Sequence, residues 1–258
     1  MLRLGFVGTG AISEAIVRGM QLSGGDAYAF HLSPRSEERS RALAAAYPSV
    51  TREASNEAVV AASDVVFLGV RPQDIAVLEG LPFREDQLVV TLLAGTPLAR
   101  MRALAAPAAR LVRVLPLPSI RHRRGPIIMT PADPLVEQLL AGLGDLIVLD
   151  KESDFAAIGS ASGVMSSHFQ LQATVIDWLQ TKGLPPAQAS LYIRSLFAGL
   201  GETGLAAARA GLSLEVEDFE TPNGLNHRGR TYLRDHRWFE LLTEALEAID
   251  AHGRTLSK

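Results

Sequence analysis

The chain has 258 residues, 47% of them hydrophobic, which gives room for one large domain or two small ones around a sizeable core. A formal net charge of -3 gives no general attraction to nucleic acid, and the absence of cysteine excludes disulfides and thiolate chemistry. No apolar run approaches the roughly 18 residues of a membrane span, and the N-terminal apolar run ends in glycines too early for a signal peptide, so a cytoplasmic protein is expected. The first element is a short apolar strand through Leu4, Phe6 and Val7, followed at once by Gly8-Thr9-Gly10-Ala11-Ile12-Ser13. Gly8 suits a tight turn. Gly10 leaves no Cβ between the backbone and a pyrophosphate, and a helix starting near Ala11 would offer its N–H groups and positive dipole end. The third fingerprint position is Ser13, small enough for close helix–strand packing. An ordinary β–α turn could use the same glycines, but a strand before them and a helical pattern after them favour a dinucleotide site.

The first helix runs from Ser13 to Leu22 and stops at Gly24-Gly25; Ala27 to Leu32 is the second strand. The end of that strand discriminates NAD from NADP, an acid suiting a ribose hydroxyl and Arg or hydroxyl groups a 2′-phosphate. Here it reads Ser33-Pro34-Arg35-Ser36, with Arg39 a turn later and no carboxylate before Glu37, which favours NADP. Ser36-Glu37-Glu38-Arg39 also reads as a capped helix start with surface arginines. A weak strand at Val50-Thr51 precedes the clear buried strand Asp64 to Val70, which runs into Arg71-Pro72-Gln73. Further strands follow at Gln87 to Leu93, ending in Ala94-Gly95-Thr96-Pro97, and at Arg110 to Leu115. Between them lies a helix from Leu98 to Leu104. A Pro-rich segment 116–118 and a basic run Arg121-His122-Arg123-Arg124 lead to two last strands, Ile127 to Met129 and Leu146 to Leu149, around a helix Pro134 to Leu143. This alternation predicts an α/β, Rossmann-type doubly wound sheet over residues 1–150.

Beyond Asp150 the period becomes helical. Three long apolar-periodic segments, Glu152 to Lys182, Pro186 to Ala210 and Gly229 to His252, predict an all-α second domain over residues 151–258. Helices this long in so short a domain carry apolar stripes that one chain cannot cover, which predicts a homodimer or higher homo-oligomer.

The glycine fingerprint, Asn56-Glu57-Ala58-Val59, the strand running into Val70-Arg71-Pro72-Gln73, the Leu93-Ala94-Gly95 strand end and the helical C-terminal half together resemble the pyrroline-5-carboxylate reductase family. The similarity covers almost the whole chain. It implies an enzyme of amino-acid biosynthesis that takes hydride from NAD(P)H to reduce a cyclic imine carrying a carboxylate, producing proline. It further implies phosphate contacts at Gly8, Thr9, Gly10, Ala11 and Ile12, and 2′-phosphate contacts at Ser33 and Arg35. Other cofactor contacts fall on Asn56, on Val70, Arg71 and Pro72 (Arg71 replacing the family's Lys), and on Ala94 and Gly95.

The family's substrate loop, Ser-Pro-Gly-Gly-Thr-Thr, falls on Thr221, Pro222, Asn223, Gly224, Leu225 and Asn226. Its last Thr, directed at the substrate ring nitrogen, has become Asn226, the candidate catalytic residue. The Pro-Asn-Thr-Pro stretch has become Pro116-Leu117-Pro118-Ser119, and Ser-Gly-Ser-Gly-Pro-Ala has become Ser160-Ala161-Ser162-Gly163-Val164-Met165. Three departures around one pocket point to a divergent paralogue with a changed substrate and an unchanged cofactor, NADP(H).

No other constellation competes. The six histidines include no pair at metal-ligand spacing, so no metal site is expected. His168 reads as structural or surface. His227 is a candidate proton donor beside the substrate loop, although a solvated loop His is the favoured reading. The basic run 121–124 reads as a solvated loop rather than an anion clamp. The expectation is therefore NADPH-dependent reduction of a C=N bond in a small carboxylated imine. Carbonyl reduction of the β-hydroxyacid-dehydrogenase kind, with Lys151 as the only nearby Lys, is an alternative, as is a non-catalytic NADP-binding sensor or scaffold. No nucleic-acid or membrane partner is expected.

Overall fold

The computed structural model describes residues 1–256. Eight strands form one sheet: β1 (Leu2–Val7), β2 (Tyr28–Leu32), β3 (Val50–Arg52), β4 (Val65–Leu68), β5 (Leu88–Thr91), β6 (Arg110–Pro116), β7 (Pro126–Thr130) and β8 (Asp145–Val148). Their order is β3-β2-β1-β4-β5-β6-β7-β8. All neighbours pair parallel except β6 and β7, which are antiparallel. The doubly wound sheet is thus mixed rather than wholly parallel. Only residues 117–125 join β6 to β7, too short a link for the helical crossover a parallel pair needs.

Helices cover both faces. On one lie α1 (Ala11–Gln21), α2 (Glu37–Ala46) and α5 (Pro134–Leu140), whose Ile16, Met20, Leu43 and Leu140 pack on Leu4, Phe6, Phe30, Phe67 and Val112. On the other lie α3 (Asn56–Ala62), a 3-10 segment Pro72–Leu78 and α4 (Leu98–Leu104), with Val59, Ile75 and Met101 on Val7, Leu68, Val89 and Leu111. Phe6 stacks on Phe67 at 4.7 Å between centroids, both fully buried, and each buried ring of this size contributes about 1.5–3 kcal/mol.

The chain divides into two compact units, Met1–Ala156 and Ala157–Leu256. The second is helical. It takes in the end of α6 (Asp154–Ala161), then α7 (Met165–Thr181), α8 (Pro186–Arg209), α9 (Leu225–Asp235) and α10 (Trp238–Leu256). The segment predicted as one helix from Gly229 to His252 is two. Arg237, at φ 60, breaks it, and α9 begins earlier, at Leu225. Gly183, at φ 92, and Pro185-Pro186 separate α7 from α8 as the sequence implied. Within this unit only Gln172, Ile176, Ala189 and Ile193 are buried among the described residues. No described helix is long and apolar enough to cross a membrane.

Candidate active site

The glycine loop lies where β1 ends, at the point where the strand order turns outward to β2 on one side and β4 on the other. Gly8 has φ +94, and a Cβ there would meet the Gly69 carbonyl carbon at 2.7 Å and the Val70 nitrogen at 2.8 Å, so no other residue fits. Gly10 is different: a Cβ there would meet only the Gly69 oxygen at 3.7 Å, leaving open space over the backbone. It is the N-cap of α1, with no side chain capping the helix, so first-turn N–H groups remain for an external acceptor. The Ser13 hydroxyl donates to the Gly8 carbonyl at 2.6 Å and sits against Gly69, where a Cβ would strike it. The third fingerprint position therefore works as a polar strut as well as a small residue. A tight turn, an open glycine and an uncapped helix start together fit a dinucleotide pyrophosphate.

Ser33, expected to meet a 2′-phosphate, is fully buried and bonded to the glycine loop. Its Oγ accepts the Gly8 N–H at 2.9 Å, and its carbonyl accepts the Thr9 hydroxyl at 3.2 Å. It braces the glycine loop from β2, a role the sequence did not reveal. Arg35 is exposed and pairs with Asp74, Nη2 to Oδ1 at 3.1 Å. The other Asp74 oxygen accepts from Arg71 Nε at 2.8 Å. Hydrogen bonds from Arg71 first and Arg35 second hold the Asp74 carboxyl below its ordinary range. Arg52 donates to the Pro34 carbonyl at 3.3 Å and to Ser40 Oγ at 3.1 Å, fixing the loop that carries Arg35. Arg39 turns away to Glu14 at 3.1 Å. Ser36, at φ 63, makes no side-chain cap for α2, so the simple capped-helix alternative at this loop does not describe it.

The remaining predicted cofactor residues follow neighbouring strands. Val70, Arg71 and Pro72 follow β4, Ala94 and Gly95 follow β5, and Asn56 opens α3 beyond β3, behind the Ser55 cap. Sheet order therefore collects them along one edge. Past Gly95, Glu152 Oε1 accepts the Leu98 N–H at 2.7 Å, capping α4, and also pairs with Arg113 Nη1 at 2.9 Å. Arg113 is buried, with its guanidinium 4.7 Å from the Phe155 ring centroid. Sequence reasoning missed Ser13's bond, Arg52, Asp74 and this Arg113–Glu152 pair. An Arg71/Asp74 spacing of three is visible in the chain, but the 39-residue separation of Asp74 from Arg35 is a product of the fold. Arg121 bonds to its neighbour His122, and Arg123 reaches across to the Gly142 carbonyl.

In the helical unit, Thr221 to Gly224 form a turn whose Gly224 N–H donates to the Thr221 carbonyl at 2.8 Å. The Asn223 N–H donates to His227 Nδ1 at 3.1 Å. These two N–H groups, expected to bind a carboxylate, are thus taken within the loop: Thr221 accepts that of Gly224, and His227 Nδ1 that of Asn223, which leaves the ring hydrogen on Nε2. The positive φ belongs to Asn223 (62°), not Gly224 (-72°). Gly224 is required for another reason: a Cβ there would collide with Thr221 Oγ1. Gly224 caps α9 without a side-chain bond, leaving first-turn N–H groups, among them those of Leu225 and Asn226, for a ligand. Asn226 Nδ2 donates to the Phe219 carbonyl at 2.7 Å, while Leu225 is 93% exposed. Pro222 closes the turn. His168 is structural: its Nε2 lies 2.6 Å from Gln172 Nε2, and Gln172 accepts from Arg194 at 2.8 Å.

Comparison with known proteins places the chain among sequences of one kind. Residues 3–95 match the family model described as NADP oxidoreductase, coenzyme F420-dependent. The chain is 27% identical over 273 residues to a pyrroline-5-carboxylate reductase of Pseudomonas aeruginosa, covering 99% of this chain and 97% of that one. It is 30% identical over 233 residues to a pyrroline-5-carboxylate reductase of Corynebacterium melassecola, covering 83% and 86%. The solved pyrroline-5-carboxylate reductase of Coxiella burnetii has the same fold, with a TM-score of 0.84 at 22% identity, covering 99% of this chain and 98% of that one. With a similarity that runs through both the glycine crevice and the helical half, the chain belongs to the pyrroline-5-carboxylate reductase family.

Proposed function

We propose that the protein is an NADPH-dependent reductase of the C=N bond in a small cyclic imine bearing a carboxylate, working as a homodimer. The observation that carries this is the crevice at the end of β1: Gly8 closed against Gly69, Gly10 open, α1 uncapped, and two arginines beside it. The α1 N-terminus would hold the pyrophosphate, and Arg35 and Arg71 the 2′-phosphate. When bound, the cofactor supplies a hydride for the imine carbon, and the ring nitrogen keeps or gains its proton from water. The protein's own part is positioning and charge neutralisation, because a protonated imine is already electrophilic and needs no strong acid. In this reading the substrate carboxylate meets the first turn of α9, and the Asn226 amide, tethered to Phe219, presents its oxygen and second N–H to the ring. An amide in place of the family hydroxyl favours a substrate whose polar group sits differently from that of pyrroline-5-carboxylate.

Support for a dimer comes from α8, where Tyr192, Ser195, Leu196, Gly199 and Leu200 line a shallow exposed groove on one helix face. The function is tested by following NADPH oxidation with a panel of cyclic imines and keto acids. Turnover of a carboxylated imine and none of the keto acids is expected. Turnover of keto acids alone would replace imine with carbonyl reduction, and inertness with every compound, despite cofactor binding, would leave a binding protein.

A further inference from the structure

The Arg35–Asp74–Arg71 bridge has a position that its three residues do not reveal in sequence. In the sheet, β1 lies between β2 and β4. Arg35 stands three residues beyond the last residue of β2, and Arg71 three beyond the last residue of β4. A single carboxylate joins them, at 3.1 Å and 2.8 Å. The bridge thus runs from one neighbour of β1 to the other, past the glycine loop that ends β1. The arginines are exposed, at 52% and 67%, while the carboxylate between them is only 20% exposed. Two guanidiniums share one anion, so the cluster carries an uncompensated positive charge and unfilled N–H donors. A phosphate monoester, with three acceptor oxygens, suits such a pair better than a lone carboxylate does.

We propose that Asp74 is a specificity-determining residue for the adenosine end of the cofactor. It keeps Arg35 and Arg71 together while the crevice is empty, and it surrenders them to a 2′-phosphate, its own charge opposing that phosphate. Asp74 therefore sets the NADPH-to-NADH ratio below what the two arginines alone would give. NADH carries an uncharged 2′-hydroxyl at this point, so the charge of Asp74 weighs far less on its binding than on that of NADPH. The carboxyl, held low by both arginines, stays ionised throughout the neutral range, so the exchange is one anion for another and protonation does not relieve it. The inference rests on the proposed dinucleotide site.

Calorimetric titration of the full-length protein with NADPH, NADH and adenosine 2′,5′-bisphosphate tests it without reference to turnover. Asp74→Asn, which keeps shape and loses charge, should tighten NADPH and the bisphosphate by about tenfold, corresponding to about 1.4 kcal/mol, and leave NADH within about twofold. Asp74→Ala should do the same, Asp74→Glu should keep the wild-type ratio, and Arg35→Ala in the Asn background should cancel the gain. Melting temperatures identify any variant that fails to fold, and the other neutral variant then carries the test. If NADPH binds the wild type but its affinity is unchanged or weaker in the neutral variants, the role of Asp74 is overturned while the cofactor site stands. If the wild type binds neither dinucleotide, the cofactor site falls, and this inference with it.

Discussion

Ser33 and Arg35 sit two residues apart and divide the work of one loop. The Ser33 hydroxyl supports the Gly8 N–H from inside the protein, whereas Arg35 reaches out to Asp74. Ser33→Ala should therefore weaken NADPH and NADH equally and lower stability by about 1 kcal/mol, the cost of a half-buried donor left unpaired. Arg35→Ala should erase most of a preference for NADPH that is expected to be at least about tenfold in the wild type. Calorimetry with both cofactors separates the two effects, and equal wild-type affinities would remove the 2′-phosphate site. At the substrate loop, Asn226→Ala should lower kcat/KM by at least about tenfold while the cofactor Kd holds. Unchanged turnover would reduce Asn226 to a tether for Phe219. Both residues show where sequence stops. Ser33 and Asn226 were legible as candidates, but which of their atoms remain free depends on Gly8 and Phe219, partners that only folding supplies.

At the scale of elements, Asp64 ties the front of β1 to the start of β4: its Oδ2 accepts the Arg3 N–H at 3.0 Å and its Oδ1 the Arg3 guanidinium at 2.5 Å. Arg3 holds the Asp64 carboxyl below its ordinary range. A carboxyl depressed in the folded state contributes stability above its unfolded value, near pH 4, and that contribution vanishes as pH falls through the depressed value. Asp64→Asn should thus lower Tm by about 2 °C at pH 7, and the gap from wild type should close on acidification below about pH 4. A gap constant from pH 7 to pH 3 in thermal melts would show that the charge contributes nothing. Buried strands such as Val65–Leu68 were legible because four consecutive apolar residues ended by a turn have few alternatives. The break between α9 and α10 was not, since it falls at Arg237, with no glycine or proline to mark it. The reversed β7 was legible in principle from the nine residues that precede it, a matter of length rather than composition.

For the whole molecule, the helical unit buries too little of itself to stand alone. Phe169, Trp178, Tyr192, Leu196, Tyr232, Trp238 and Phe239 are all exposed, whereas among the described residues its buried apolar side chains are those of Ile176, Ala189 and Ile193. An obligate dimer of about twice the 27.7 kDa chain mass is expected by light scattering at micromolar concentration. Leu196→Arg, in the α8 groove, should shift it toward monomer and lower activity with it. A monomeric wild type would mean that this surface serves something else.

The Glu152 pairing has a practical consequence for recombining the two halves of related enzymes. Glu152 and Phe155 follow the last strand, yet they belong with the sheet: one holds the Leu98 amide and Arg113, the other covers the Arg113 guanidinium. A splice made at residue 150 donates both from the other parent and leaves a buried arginine facing whatever that parent carries there. A splice made after Ala156 transfers arginine, carboxylate and ring as one inherited set. Of two otherwise identical hybrid libraries, the one cut at the later junction should yield the soluble proteins.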